Sequence, residues 1–243
     1  VTTQYIDDNY GNFMNWQQLQ DMQLYGGEIG NHSHSHAHLI RHQQTETEEQ
    51  WQLRITNEIK LAESILKQNI GSPIKAFAYP YGEYSKAIKT ILKQRGYFGI
   101  GQQSGAVSQH SDLQAIPRFP MATGFDELSA FAMKVRVKDL PVTILSPEDG
   151  IVTNNDIIPV LKLRLEEGEY QQASFSCYAS LQGAIHLDWQ DNNRVVTVRA
   201  NEMIKSGRTK YNCTAASKTE KDVYYWFSFL WMKTEINGSW YLE

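Results

Sequence analysis

The chain has 243 residues, enough for one large domain or two modest ones that each bury a core. Apolar residues make up 41% and aromatic residues 12%, and 23 Lys and Arg face 27 Asp and Glu for a net charge of -4, which excludes both a disordered chain and a polybasic nucleic-acid binder. The longest strongly apolar run, 223–232, is interrupted by Ser228 and is well short of the roughly 20 residues a membrane-crossing helix needs. The sequence opens at Val1 without an initiator Met, a basic start or an apolar leader, so any signal segment would lie outside the residues given.

In chain order, Trp16, Leu19, Met22 and Tyr25 fall on one face of a helix that Asn15 can cap and Gly26-Gly27 can end. A longer helix follows, with Thr45 and Glu48 at capping-box spacing, a stripe of Trp51, Ile55, Ile59, Ala62 and Leu66, and Gly71 closing it. Lys75 to Tyr79 reads as a strand, Ser85 to Arg95 as a helix stopped by Gly96, and Tyr97 to Ile100 as another strand. This βαβα order predicts parallel strands in an α/β layer or barrel.

After Leu140-Pro141 short alternating segments bounded by turn residues take over. Strands are predicted at Val142–Leu145, Val160–Leu165, Ala173–Ala179, Ala184–Trp189, Arg194–Val198 and Val223–Met232. The turn-rich stretch Ser146-Pro147-Glu148-Asp149-Gly150 places the domain boundary between about Lys138 and Gly150, giving an α/β domain over 1–139 and an all-β domain over 140–243.

Chemistry concentrates at His32, His34, His36, His38 and His42, just after the predicted short strand Glu28–Asn31. Imidazoles four residues apart on a helical turn project to one side and can share a divalent cation through neutral ring nitrogens. His32/His36, His34/His38 and His38/His42 all satisfy that spacing.

The segment Gly30-Asn31-His32-Ser33-His34-Ser35-His36-Ala37-His38-Leu39, preceded by Phe13-Met14-Asn15-Trp16 and Gly26-Gly27-Glu28-Ile29, resembles the second motif of NodB-type polysaccharide deacetylases, carbohydrate esterase family 4. Ala76-Phe77-Ala78-Tyr79-Pro80-Tyr81-Gly82 is similar to the third motif in its Y-P-Y-G form, as in intercellular-adhesin and poly-N-acetylglucosamine deacetylases. The resemblance covers residues 1–137 and implies a distorted (β/α) barrel with a divalent metal, commonly Zn2+, held by His32 and His36. It implies hydrolysis of N-acetyl groups on a polysaccharide such as poly-N-acetylglucosamine, a chitin-like polymer or peptidoglycan glycan, outside the cell or at its surface. Tyr81 would offer its backbone N–H to the oxyanion.

The family's opening motif supplies the catalytic Asp and the third ligand. Asp7-Asp8 stands too close to His32 for that role, and residues 1–6 are instead expected to be the second barrel strand, with the first strand upstream of Val1. The chain as given is accordingly expected to bind metal weakly and to release little acetate. Ala78 occupies the position where many members carry an Arg, and Arg118 is the expected substitute for orienting the carboxylate. The late histidine that acts as general acid in many members has no clear counterpart, and His110, in the polar loop Ser108 to Asp112, is read as a solvated loop residue.

In the second half, Cys177, Trp189, Tyr211 and Cys213 form an arrangement similar to an immunoglobulin-like sandwich with an inter-sheet disulfide and a tyrosine corner. The aromatic run 224–231 is expected to be a buried strand rather than a sugar platform, because both its faces are apolar. The expected function is metal-dependent polysaccharide N-deacetylation, the alternative being a noncatalytic glycan-binding or adhesion protein on a degenerate barrel.

Overall fold

The computed structural model describes residues 1–7, 13–124, 126–153 and 157–242, so Asp8 lies outside the described residues. The backbone divides into two compact units, Val1–Gly101 with Asp112–Ile116, and Gln102–Ser111 with Pro117–Glu243.

The first unit begins with a single 3-10 turn at Thr3–Tyr5, not the strand expected over residues 1–6; Val1 exchanges backbone hydrogen bonds with Gly30 and His32, and the N–H groups of Thr3 and Gln4 donate to the Ser33 and His34 carbonyls. Helix α1, Trp16–Leu24, starts at Asn15, whose side chain and that of Gln18 satisfy each other's backbone N–H groups, and Asp7 Oδ1 accepts the N–H of Trp16. The expected apolar face is mostly unburied. Leu19 packs against Ile29 and Leu66, whereas Met22 and Tyr25 stay exposed.

Helix α2, Glu48–Ile70, buries the whole predicted stripe of Trp51, Ile55, Ile59, Ala62 and Leu66. Its cap differs from the expected one. Thr47 and Gln50 form the capping box, two residues beyond Thr45, which instead takes φ 64° and donates its hydroxyl to the Gln44 carbonyl. Two overlapping frames of the same pattern stand in 45–50, and spacing alone cannot choose between them. Ile59 has no exposed surface, so Ile59→Ala is expected to cost about 2–5 kcal/mol, read as a lowered denaturation midpoint at unchanged m-value.

Strand β1, Ala76–Ala78, pairs in parallel with β2, Phe98–Ile100, across α3, Lys86–Gln94, which Ser85 caps. Asn31 bridges Phe77 and Ile100 bridges Ile116, both parallel. Val1, Gly30–His32, β1, β2 and Ile116 thus lie side by side in chain order, and His32 and Tyr79-Pro80-Tyr81 emerge from the same, carboxyl, edge. That edge is where parallel α/β sheets place their chemistry.

The second unit adds, among the described residues, a short helix α4, Leu128–Lys134, and ten strands: β3 Lys138–Asp139, β4 Val142–Ser146, β5 Ile151–Val152, β6 Val160–Leu165, β7 Ser176–Ala179, β8 Gly183–Ala184, β9 His186–Gln190, β10 Val195–Arg199, β11 Gly207–Ala216 and β12 Tyr224–Lys233. One sheet has the order β4-β6-β10-β9, the other β3-β12-β11-β7-β8, with β5 pairing β12. Leu161, Leu163, Val196 and Val198 from the first sheet share one hydrophobic cluster with Cys177, Tyr211, Cys213, Phe229 and Trp231 from the second. The run predicted at Ala184–Trp189 is split between the sheets, and the start of Ala173–Ala179 is a 3-10 turn at Gln172–Ser174.

Cys177 and Cys213 form a disulfide, but not between sheets. They face each other in register on neighbouring strands β7 and β11 of one sheet. Trp189, on β9 of the other sheet, packs edge-on against Phe175, with ring centroids 5.3 Å apart, and against the core cluster that contains both cysteines. The Tyr211 hydroxyl donates to the Pro159 carbonyl and accepts the N–H of Ala200. Burial pushes the Tyr211 phenol up to about 12. The neutral form is therefore the one the fold favours: its contribution is complete below the unfolded value of about 10 and is lost as pH rises towards 12. Stability measured from pH 9 to 12 should fall more steeply in the native protein than in Tyr211→Phe.

Candidate functional site

The five clustered histidines lie on a loop, not on the helical turn expected for them. The loop reverses twice through left-handed residues, Ser33 at φ 63° and His36 at φ 58°. Both conformations are disfavoured for residues with a Cβ, and the surroundings supply the compensation. Asn31 is buried under the loop; its amide donates to the Ile59 carbonyl on α2 and its oxygen accepts the N–H of Ser33. The Ser33 hydroxyl oxygen accepts the N–H of His36 at 3.0 Å. From α2, the Glu58 carboxylate accepts the N–H of His34 at 3.1 Å and of Ser35 at 3.0 Å, and the Ser35 hydroxyl donates to its other oxygen.

Of the three pairs at that spacing, the loop brings the His32 and His36 rings together. His32 Nε2 and His36 Nε2 stand 3.1 Å apart. Two nitrogens bound at 2.0–2.1 Å to one tetrahedral ion would be about 3.3 Å apart, so the pair has the spacing of two ligands. His32 Nδ1 lies 2.6 Å from the Ala78 carbonyl at the end of β1. A proton on Nδ1 donated there leaves the lone pair on Nε2, the tautomer a metal requires. The other histidines are engaged elsewhere: His34 Nδ1 meets the Thr3 hydroxyl at 2.9 Å, His38 Nδ1 meets Glu83 at 2.8 Å, and the His42 ring stacks on Trp51. Among the described residues no group of three or more His, Cys, Asp or Glu side chains is placed to hold a metal ion.

Tyr81 sits beside the pair. It takes φ 58° in a 3-10 turn at Pro80–Gly82, and its ring lies between His36, edge-on at 4.5 Å, and His38, face-on at 3.7 Å. A cavity of about 330 Å3, walled by Tyr5, Ile6, Phe13, Met14 and Leu19, opens onto both His32 and His36. Its lining is almost wholly apolar, which suits carbon-bound groups beside a polar reacting centre.

Arg118 and His110 fall in the second unit. The Arg118 N–H donates to the Gln103 carbonyl, and Lys210 is held below its usual range by burial, then by the charges of Arg208 and Arg118. His110 is exposed and its N–H donates to the Ser108 hydroxyl. Sequence reasoning missed Glu58 and Glu83. Glu58 precedes the buried Ile59 in the α2 stripe and Glu83 directly follows Pro80-Tyr81-Gly82, so carboxylates adjoining buried or motif positions were the available signal.

Residues 1–100 match the family model described as polysaccharide deacetylase. No curated protein matches the chain. Among solved structures the chain is similar to the Streptococcus pyogenes deacetylase PplD in complex with acetate, at 18% identity over 55% of this chain and 56% of that one, with a TM-score of 0.48. It is also similar to the BpsB deacetylase domain from Bordetella bronchiseptica, at 21% identity over 49% and 58% of the two chains, with a TM-score of 0.42. A third is IcaB from Ammonifex degensii, at 18% identity over 54% and 57%, with a TM-score of 0.44. The chain thus spans less than two thirds of the length of these proteins. No helix among the described residues is long and apolar enough to cross a membrane.

Proposed function

We propose that this protein is a metal-dependent hydrolase that removes N-acetyl groups from an N-acetylhexosamine polysaccharide outside the cell. The observation that carries the reading is the 3.1 Å approach of His32 Nε2 and His36 Nε2, with His32 held by the Ala78 carbonyl. The family match over residues 1–100 supports it. His32 and His36 would hold a divalent ion, Zn2+ in the first instance, which when bound would supply Lewis-acid polarisation of the amide carbonyl and a bound water of lowered pKa. His32 and His36 supply neutral nitrogen donors, and the loop anchored on Asn31 and Glu58 keeps them converged. Tyr81, at the end of the motif strand, presents its backbone N–H to the oxyanion.

The first unit is read as part of a NodB-type (β/α) barrel, supported by the parallel segments running in chain order. The second is read as a β-sandwich accessory domain, supported by two sheets that share one core. The disulfide supports an exported protein. The test is acetate release from N-acetylglucosamine oligomers by the full-length protein with added Zn2+ and after chelation. Zn2+-dependent release is the expected result. Oligomer binding without release would instead establish the noncatalytic glycan-binding reading.

A further inference from the structure

We propose that Glu83 is a positioning residue that sets the ring of His36 through His38 and Tyr81. The inference rests on the reading of His32 and His36 as a metal pair. Glu83 has no exposed surface, and a carboxylate so placed is costly unless its oxygens are partnered. One oxygen lies 2.8 Å from His38 Nδ1; the other faces the Arg41 guanidinium at 3.8 Å. The first contact fixes the plane of the His38 imidazole. That ring lies on Tyr81 at 3.7 Å between centroids and 7° between planes, a full face-to-face overlap. Tyr81 in turn meets His36 edge-on at 4.5 Å and 65°.

The two rings of the pair are therefore held by different means. His32 is fixed directly by a main-chain carbonyl. On the His36 side the rings of Tyr81 and His38 form a wall anchored at a buried charge. Tyr81 also takes a left-handed backbone conformation, which stacking on His38 stabilises. Were Glu83 present only to neutralise Arg41, neither its 2.8 Å contact with His38 nor the coplanar stack would be needed.

The test uses full-length protein, Co2+ as an optical probe and Zn2+ in competition. Glu83→Leu is expected to weaken affinity about tenfold, the low end of what partners of metal-bound histidines contribute, and to shift the Co2+ absorption band. Glu83→Gln keeps an acceptor for His38 Nδ1–H and should recover most of the loss. His38→Ala, which removes the stacked ring itself, should reproduce the Glu83→Leu effect and serves if that variant does not fold. A lowered melting temperature with unchanged affinity and an unchanged Co2+ band in Glu83→Leu or His38→Ala overturns the proposal. So does unchanged Co2+ binding in both His32→Ala and His36→Ala, which removes the metal pair itself. Affinity losses as expected, in a protein that releases no acetate, uphold the positioning role and sink only the deacetylase reading.

Discussion

His32→Ala and His36→Ala are each expected to lower zinc affinity by more than the 10–100-fold lost when a mere partner of a metal-bound histidine is removed. Acetate release should fall in parallel. The reason is geometric: with Nε2 atoms 3.1 Å apart, each imidazole would supply one corner of a shared coordination sphere, and either one alone would not chelate. His34→Ala is the internal control, since His34 Nδ1 faces the Thr3 hydroxyl and not the pair. Zinc stoichiometry and competition titrations on the three variants decide the matter. Equal loss in all three would mean that the loop, not the pair, had been disrupted.

Removing the Cys177–Cys213 bridge is expected to destabilise the second unit by roughly 3–4 kcal/mol, as chain-entropy bookkeeping gives for a link of 36 residues. Both cysteines are buried, on β7 and β11, at the centre of the five-strand path of their sheet. Losing the bridge should therefore be felt where β11 pairs with β12 as well as with β7. Chemical denaturation of Cys177→Ala/Cys213→Ala measures the cost, and amide exchange along β7, β11 and β12 localises it. Two free thiols in the denatured, unreduced native protein would refute the premise.

The α2 stripe, the Asn15 and Gly71 caps and most strands of the second half were legible, because each is a short-range pattern written in consecutive residues. Strand β11 was the main omission. It does alternate, with Thr209, Tyr211, Cys213 and Ala215 buried between Arg208, Lys210, Asn212 and Thr214, but small and hydroxylated residues on its inner face make the period faint. For α1 the pattern misled: Met22 and Tyr25 share the face of Leu19, yet their exposure was decided by what packs there and not by periodicity.

At the site, composition by itself determined that histidine would dominate, and the motif frame singled out His32 and His36. Everything that makes those two converge is tertiary. The loop turns through left-handed Ser33 and His36, conformations that local preference opposes and that persist because Asn31, Glu58 and the Ala78 carbonyl hold them from other elements. The disulfide follows the same division. That Cys177 and Cys213 would pair was readable from their number and setting, whereas the choice of one sheet over two was made by strand register, which depends on where the chain returns.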